Sequence, residues 1–173
     1  MKQLLLQQIN QTVCYLSLIF VILLLIVINT LPLHIPGFVI MAPLLPLIGI
    51  HYLSIYQPGL MSLITAFVIG LINDAVSGFP LGISSLIYLF VYIITVSQRY
   101  FFYGKSFYII WYYFCLISAC SFVLQCLLIS LLLKCSLEIH SLILEFLMTL
   151  FLYPIISWIL ANIQLIFYLK SDQ

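Results

Sequence analysis

Apolar runs cover almost the whole chain, and they are broken mainly by proline, glycine and small polar residues. Of the 173 residues, 66% are apolar, while only five are Lys or Arg and four are Asp or Glu. A globular protein carries roughly 25% charged residues, and so few charges cannot cover a body of this size in water. The sequence therefore predicts that most of the surface faces lipid.

Helices are the expected way for this chain to cross a bilayer. Outer-membrane strands alternate apolar and polar residues over about ten positions, whereas the apolar runs here are continuous. Because a helix rises about 1.5 Å per residue and the hydrocarbon core is about 30 Å thick, one crossing needs roughly 20 residues. We predict an all-α, polytopic integral membrane protein with one transmembrane domain over residues 1–173. Its six spans are predicted at residues 13–31, 38–56, 58–76, 83–97, 107–133 and 141–169.

Prolines make some of these spans irregular. Pro43 and Pro46 lie in the second span, so its regular helix is predicted only from Pro43 to Tyr56, which is short for a full crossing. Pro154 lies mid-way along the last span and predicts a kink there. A secretory leader would have a shorter apolar region and a small-residue cleavage site, so we expect the first span to remain in the mature chain.

The basic residues predict an orientation. Six spans place both termini on one side, which Lys2, Arg99, Lys105 and Lys170 then share, while Lys134 lies opposite. Cytoplasmic loops carry the excess of Lys and Arg, so both termini are predicted to be cytoplasmic. Aromatic residues surround Arg99 and Lys105, as they do at the headgroup level of membrane proteins. We favour membrane anchoring for this cluster over a loop that binds a partner.

The residue patterns of common enzymes and binding modules are missing. The three histidines, His34, His51 and His140, lie in separate segments without the H-E-x-x-H spacing of a zinc protease. Asp74 has no second aspartate in the spans with which to share a proton. The five cysteines form no C-x-x-C, there is no phosphate-binding glycine loop, and a net charge of +1 is unlike a nucleic-acid binder. We therefore expect no catalysis, no metal, no cofactor and no nucleic acid.

The most informative segment runs from Gly70 to Gly82, where small residues recur every four positions around one carboxylate. Gly70 and Asp74 share a helix face, and a glycine there lets a neighbouring backbone approach closely. A charged carboxylate in hydrocarbon costs about 2.5–3.5 kcal/mol, so Asp74 should lie at the rim, cap the next helix or meet a donor. We favour a structural cap over a contact with a substrate or partner. Glu145, about one turn into the last span, is a second carboxylate that would be costly in hydrocarbon. We favour the interpretation that its side chain extends to the outer surface.

At this segment the chain resembles the bacterial rod shape-determining MreD family. That family has a glycine, three further residues and an aspartate, followed by a Ser/Thr-Gly-x-Pro-Leu-Gly turn, which Gly70, Asp74 and residues 77–82 reproduce. The similarity extends along the chain. Further matches are Pro43, the Pro58-Gly59 pair, Arg99 and the stretch from Thr149 to Pro154.

The resemblance implies a non-enzymatic component of the machinery that elongates the cell wall, located in the bacterial inner membrane and acting by lateral association. The implied partners are the bitopic protein MreC, the actin-like MreB, a SEDS-type glycosyltransferase and a class B penicillin-binding transpeptidase. The implied structural or partner-contact residues are Gly70, Asp74, Gly78, Pro80 and Gly82, with Glu145 and Arg99 as candidate polar contacts.

A second hypothesis comes from the same resemblance. The family is thought to be similar to the six-helix substrate-binding subunits of vitamin (ECF-type) transporters. In that case the chain would bind a small molecule between its helices, with Asp74, Glu145 or His140 as polar contacts. Polar residues are sparse inside the spans, which argues against a hydrophilic ligand.

Overall fold

The fold is all-helical over the residues that the computed structural model describes, which are 19–29, 44–59, 61–78, 80–102, 104–133 and 139–171. This confirms the predicted all-α class. We number the helices in chain order. They are α1 (Ile19–Asn29), α2 (Leu45–Tyr56), α3 (Leu63–Ser77), α4 (Ile83–Ser97), the short α5 (Arg99–Phe102), α6 (Phe107–Leu133) and α7 (Ile139–Ser171).

Two of these helices are long and apolar enough to cross a bilayer. The qualifying segments are Phe107–Leu131 in α6 and Ile143–Leu165 in α7. Helices α2, α3 and α4 are apolar but have 12, 15 and 15 residues, below the roughly 20 that a perpendicular crossing needs. Residues 13–18, 30–31, 38–43 and 60 of the predicted spans lie outside the described residues. Six full crossings therefore remain a prediction.

The start of α3 differs from the expectation. The span was predicted from Pro58, whereas the helix begins at Leu63, behind an N-cap at Ser62. The Ser62 hydroxyl accepts a hydrogen bond from the Thr65 amide (3.3 Å), and the Thr65 hydroxyl accepts one from the Ser62 amide (2.7 Å). This reciprocal pair satisfies two amides that a helix start otherwise leaves unpaired, so it fixes the beginning of α3.

Helix α2 lies at the centre of the bundle. All its residues from Leu45 to Ile55 are buried, which explains why it shows no polar face. The Thr149 hydroxyl of α7 accepts a hydrogen bond from the Leu44 amide (3.1 Å), and the Tyr52 hydroxyl donates to Gln164 Oε1 (3.0 Å). Since both contacts advance in the same direction along α2 and α7, these two helices run parallel.

Pro154 is accommodated inside α7 by a neighbouring helix. Proline has no amide hydrogen, so the carbonyl one turn earlier, that of Leu150, loses its usual helical donor. Trp111 of α6 donates its indole N–H to this carbonyl at 3.4 Å. The helix continues through Pro154 as the longest element of the described chain. The contact therefore links the irregular point of α7 to α6.

Candidate functional site

The segment singled out in the sequence forms a hairpin of α3 and α4, which pack directly against each other. The closest approach is at Gly70. A Cβ atom built on Gly70 would lie 2.3 Å from Ser85 Cα and 2.7 Å from Ser85 N. These are main-chain atoms, so no rotamer change can make room for a side chain. The backbone of α4 occupies the space that any other residue at position 70 would need.

The turn between the two helices depends on two glycines with left-handed backbone. Gly78 ends α3 with a φ of 72°, and Gly82 precedes α4 as its N-cap with a φ of 111°. Residues with a side chain rarely adopt these angles. Pro80 lies between them, and its carbonyl accepts a hydrogen bond from the Ile83 amide (3.4 Å). The turn thus reverses the chain within a few residues.

Asp74 joins the two halves of the hairpin. Its side chain is fully buried in the last turn of α3. Oδ2 accepts a hydrogen bond from the Gly82 amide (2.8 Å) and Oδ1 from the Ser84 amide (2.9 Å). Amides at a helix start have no helical acceptor, and the helix dipole favours a negative charge there. Because glycine at the N-cap has no side chain of its own, Asp74 caps α4 from the neighbouring helix.

A second polar pair reinforces this interface. Asn73 donates from its side-chain amide to the hydroxyl of Ser84 at 3.0 Å, and both side chains are buried. Adjacent residues of α3 therefore bind the amide and the hydroxyl of the same residue of α4. The hairpin is held by close backbone packing and by three directed hydrogen bonds.

Glu145 lies at the same end of the bundle as Asp74. It is half-buried on α7, next to Phe146, whose ring centre lies 5.7 Å from that of Phe122 in α6. Its backbone carbonyl accepts a hydrogen bond from the Thr149 hydroxyl (2.8 Å). Glu145 is thus neither fully buried nor fully exposed, and its extension to the outer surface stays a prediction.

Arg99 lies at the opposite end, where α4 passes into α5. Its guanidinium is 5.3 Å from the centre of the Tyr100 ring, and Lys105 Nζ is 5.3 Å from the centre of the Phe101 ring. Such cation–π contacts suit a membrane interface. Of the five basic residues, these are the two whose side chains the structure describes; Lys2 and Lys134 lie outside the described residues.

One buried contact was not anticipated from the sequence. His51 of α2 is fully buried, and its Nδ1 lies 3.3 Å from the hydroxyl of Tyr153 in α7. Tyr153 also stacks on Phe114 of α6, with ring centres 4.1 Å apart. A histidine within an apolar run was the available signal, but its partners lie in distant parts of the chain.

The family model of the rod shape-determining protein MreD matches residues 10–163. The chain belongs to the MreD family. The match covers most of the chain and includes the whole α3–α4 hairpin, so the resemblance stated from the sequence is confirmed. No curated protein and no solved structure matches the chain significantly.

Membership of the MreD family makes this chain a rod shape-determining membrane protein and a structural component of the rod-shape machinery. MreD is not a known enzyme family. The similarity to ECF-type transporter subunits finds no support, nor does the transporter hypothesis built on it. The side chain of His140, which that hypothesis invoked, lies outside the described residues.

Proposed function

We propose that this MreD-family chain is a non-enzymatic scaffold of the cell-wall elongation machinery in the bacterial inner membrane. It would associate laterally with an MreC-like bitopic protein, a SEDS-type glycosyltransferase and a class B transpeptidase, and act with an MreB-like protein at the cytoplasmic face. Gly70, Asp74, Gly78, Pro80 and Gly82 would shape the helical hairpin that this role requires, with Glu145 and Arg99 as candidate polar contacts.

The proposal rests on the hydrogen bonds that the Asp74 side chain makes. Both oxygens of this buried carboxylate already accept backbone amides, as a cap does. The segment that most resembles the family therefore forms a helical hairpin in which α3 caps α4. The outer face of α3 is apolar and exposed, with Ile64 75% and Val76 51% accessible. In lipid, such a surface associates through close packing and shape.

Co-purification tests the proposal. The tagged chain is expressed at native level in a rod-shaped bacterium depleted of its own copy and is extracted in mild detergent. We expect an MreC-like protein and wall-synthesis enzymes to elute with it. Recovery of an ATPase module in their place would favour a transporter, and conversion of a lipid-linked wall precursor by the purified chain alone would contradict a scaffold. A membrane protein of similar size with the same tag serves as the control.

We also propose that the chain crosses the membrane six times, with both termini in the cytoplasm. The parallel arrangement of α2 and α7 supports this topology. Helices α3, α4 and α6 lie between them along the chain, and four successive reversals return α7 to the direction of α2.

Thiol labelling from outside the cell tests this topology. Single cysteines replacing Lys2, Arg99 and Lys170 should be protected, and a cysteine replacing Lys134 should react, because Lys and Arg accumulate on the cytoplasmic side. The native cysteines are first changed to serine, and labelling after permeabilisation shows that every site can react. Termini on opposite sides of the membrane would exclude six crossings.

A further inference from the structure

The two ends of the α3–α4 hairpin differ in polarity. At its open end, Ser62 is exposed at the start of α3, and Gln98 and Arg99 follow the end of α4. The Tyr92 hydroxyl donates a hydrogen bond to the Met61 carbonyl at 3.0 Å, which joins the chain before α3 to the second half of α4. Polar and charged side chains at this end suit the headgroup level of a membrane.

The closed end of the hairpin, which is the turn over residues 77–82, is apolar by comparison. No residue of this turn carries a charge. Leu81 is 72% exposed, and Val76 beside the turn is 51% exposed. Burying apolar surface away from water is favourable, so an exposed leucine at the tip of a turn is better covered by lipid than by water.

The hydrogen bonds of the turn reduce its need for water. The first amides of a helix have no helical acceptor and commonly bind water or a side chain. At the start of α4, the Gly82 and Ser84 amides donate to Asp74. The Ile83 amide donates to the Pro80 carbonyl at 3.4 Å. These three amides are satisfied within the protein, so they can lie where water is excluded and an unpaired donor would be costly.

The length of the hairpin limits how far its turn can reach through a bilayer. Helices α3 and α4 have 15 residues each, which corresponds to about 22 Å at about 1.5 Å per residue. The hydrocarbon core is about 30 Å thick, and any tilt of the helices shortens their reach. By contrast, α6 has 27 residues, or about 40 Å, which is enough for a full crossing. With its open end at the cytoplasmic headgroups, the hairpin stops short of the opposite surface.

We propose that the turn of the α3–α4 hairpin lies within the outer leaflet, where phospholipid acyl chains cover Leu81 and Val76. Asp74 then takes the place of water at the start of α4. The proposal rests on the six-segment topology given above and adds the depth of one of its turns, while the direction of every helix stays the same. A partner protein would reach this turn through its own membrane segment.

Thiol labelling of the purified chain in phospholipid vesicles tests the depth of the turn. Each variant carries one cysteine, and the five native cysteines are changed to serine. N-ethylmaleimide crosses the bilayer and so reaches both aqueous surfaces, but it reacts with the thiolate, which forms poorly in apolar surroundings. We expect Leu81→Cys to react at least about tenfold more slowly than Gln98→Cys, and to react readily once SDS unfolds the chain. Leu81 and Gln98 are both exposed, so neither change disturbs the packing of the bundle.

Fluorescence gives an independent measure of the same depth. The two native tryptophans, Trp111 and Trp158, are changed to phenylalanine, and tryptophan then replaces Leu81 in one variant and Gln98 in another. Lipids brominated on their acyl chains should quench Leu81→Trp more strongly than Gln98→Trp, and iodide in the water should quench them in the opposite order.

The result that would overturn the proposal is a turn that meets water. Leu81→Cys would then react as fast as Gln98→Cys, and iodide would quench Leu81→Trp as strongly as Gln98→Trp. Neither measurement depends on which side of the membrane holds the termini, because both reagents are compared at the two ends of α4 in the same vesicles. Labelling from outside the cell tests the topology separately.

Discussion

Replacing Gly70 with leucine is expected to abolish rod-shape function, the largest effect of any change considered for this chain. Even a single Cβ at this position would lie 2.3 Å from Ser85 Cα. Leucine would therefore force α3 and α4 apart, and the separation would also pull the Gly82 and Ser84 amides away from Asp74. We expect a destabilisation of more than about 4 kcal/mol, because the steric cost of an overpacked core adds to the loss of the Asp74 hydrogen bonds. In a depleted strain, the variant should insert into the membrane but fail to restore rod shape or recover the MreC-like partner.

Ala75→Leu is the matched control for this variant. Ala75 lies on the same helix and is exposed, so the same kind of enlargement there adds a side chain on the outside of the bundle. This control should unfold near the wild-type temperature in detergent. Full complementation by Gly70→Leu at native abundance would show that the close approach of the two backbones has no importance for function.

Replacing Asp74 with alanine is expected to have the second-largest effect. The change removes both acceptors at once and leaves the Gly82 and Ser84 amides without a partner at the hairpin. An unsatisfied buried donor costs about 1–3 kcal/mol, so the combined loss should be about 3–4 kcal/mol. Thermal unfolding in detergent and the amount of chain in the membrane measure it.

Asp74→Asn separates a cap from a charge-dependent contact. Asparagine keeps one acceptor but directs an N–H₂ group toward the second amide, so its unfolding temperature should fall between those of the wild type and the alanine variant. An alanine variant as stable as the wild type would show that the cap is unimportant. An asparagine variant that is well folded yet fails to complement would assign the charge of Asp74 to a partner.

The features that could be predicted from the sequence are those formed by residues that are close together in the sequence. Gly70 and Asp74 share a face because of helical periodicity, and the amides that Asp74 binds are only 8 and 10 residues away. Glycine and proline at fixed positions then specify the turn. The beginning of α3 at Leu63, behind the N-cap Ser62, was missed because threonine replaces the usual Glu or Gln of a capping box.

The features that could not be predicted depend on which helices become neighbours. His51 and Tyr153 are 102 residues apart, and Tyr52 and Gln164 are 112 apart. In a chain whose helices are apolar on all sides, no amphipathic face indicates the partner of each helix. The central position of α2 follows from this packing.

The contacts of Gly70 and Asp74 have a genetic consequence, because both residues meet main-chain atoms. The Cα and N atoms of Ser85 that exclude a larger residue at position 70 are present whatever side chain replaces that serine. Likewise, the amides bound by Asp74 belong to every residue except proline. Neither defect can therefore be repaired by a compensating substitution in the contacted residue. Revertants of such variants should restore the original residue or carry a second substitution at a position other than the contacted residues.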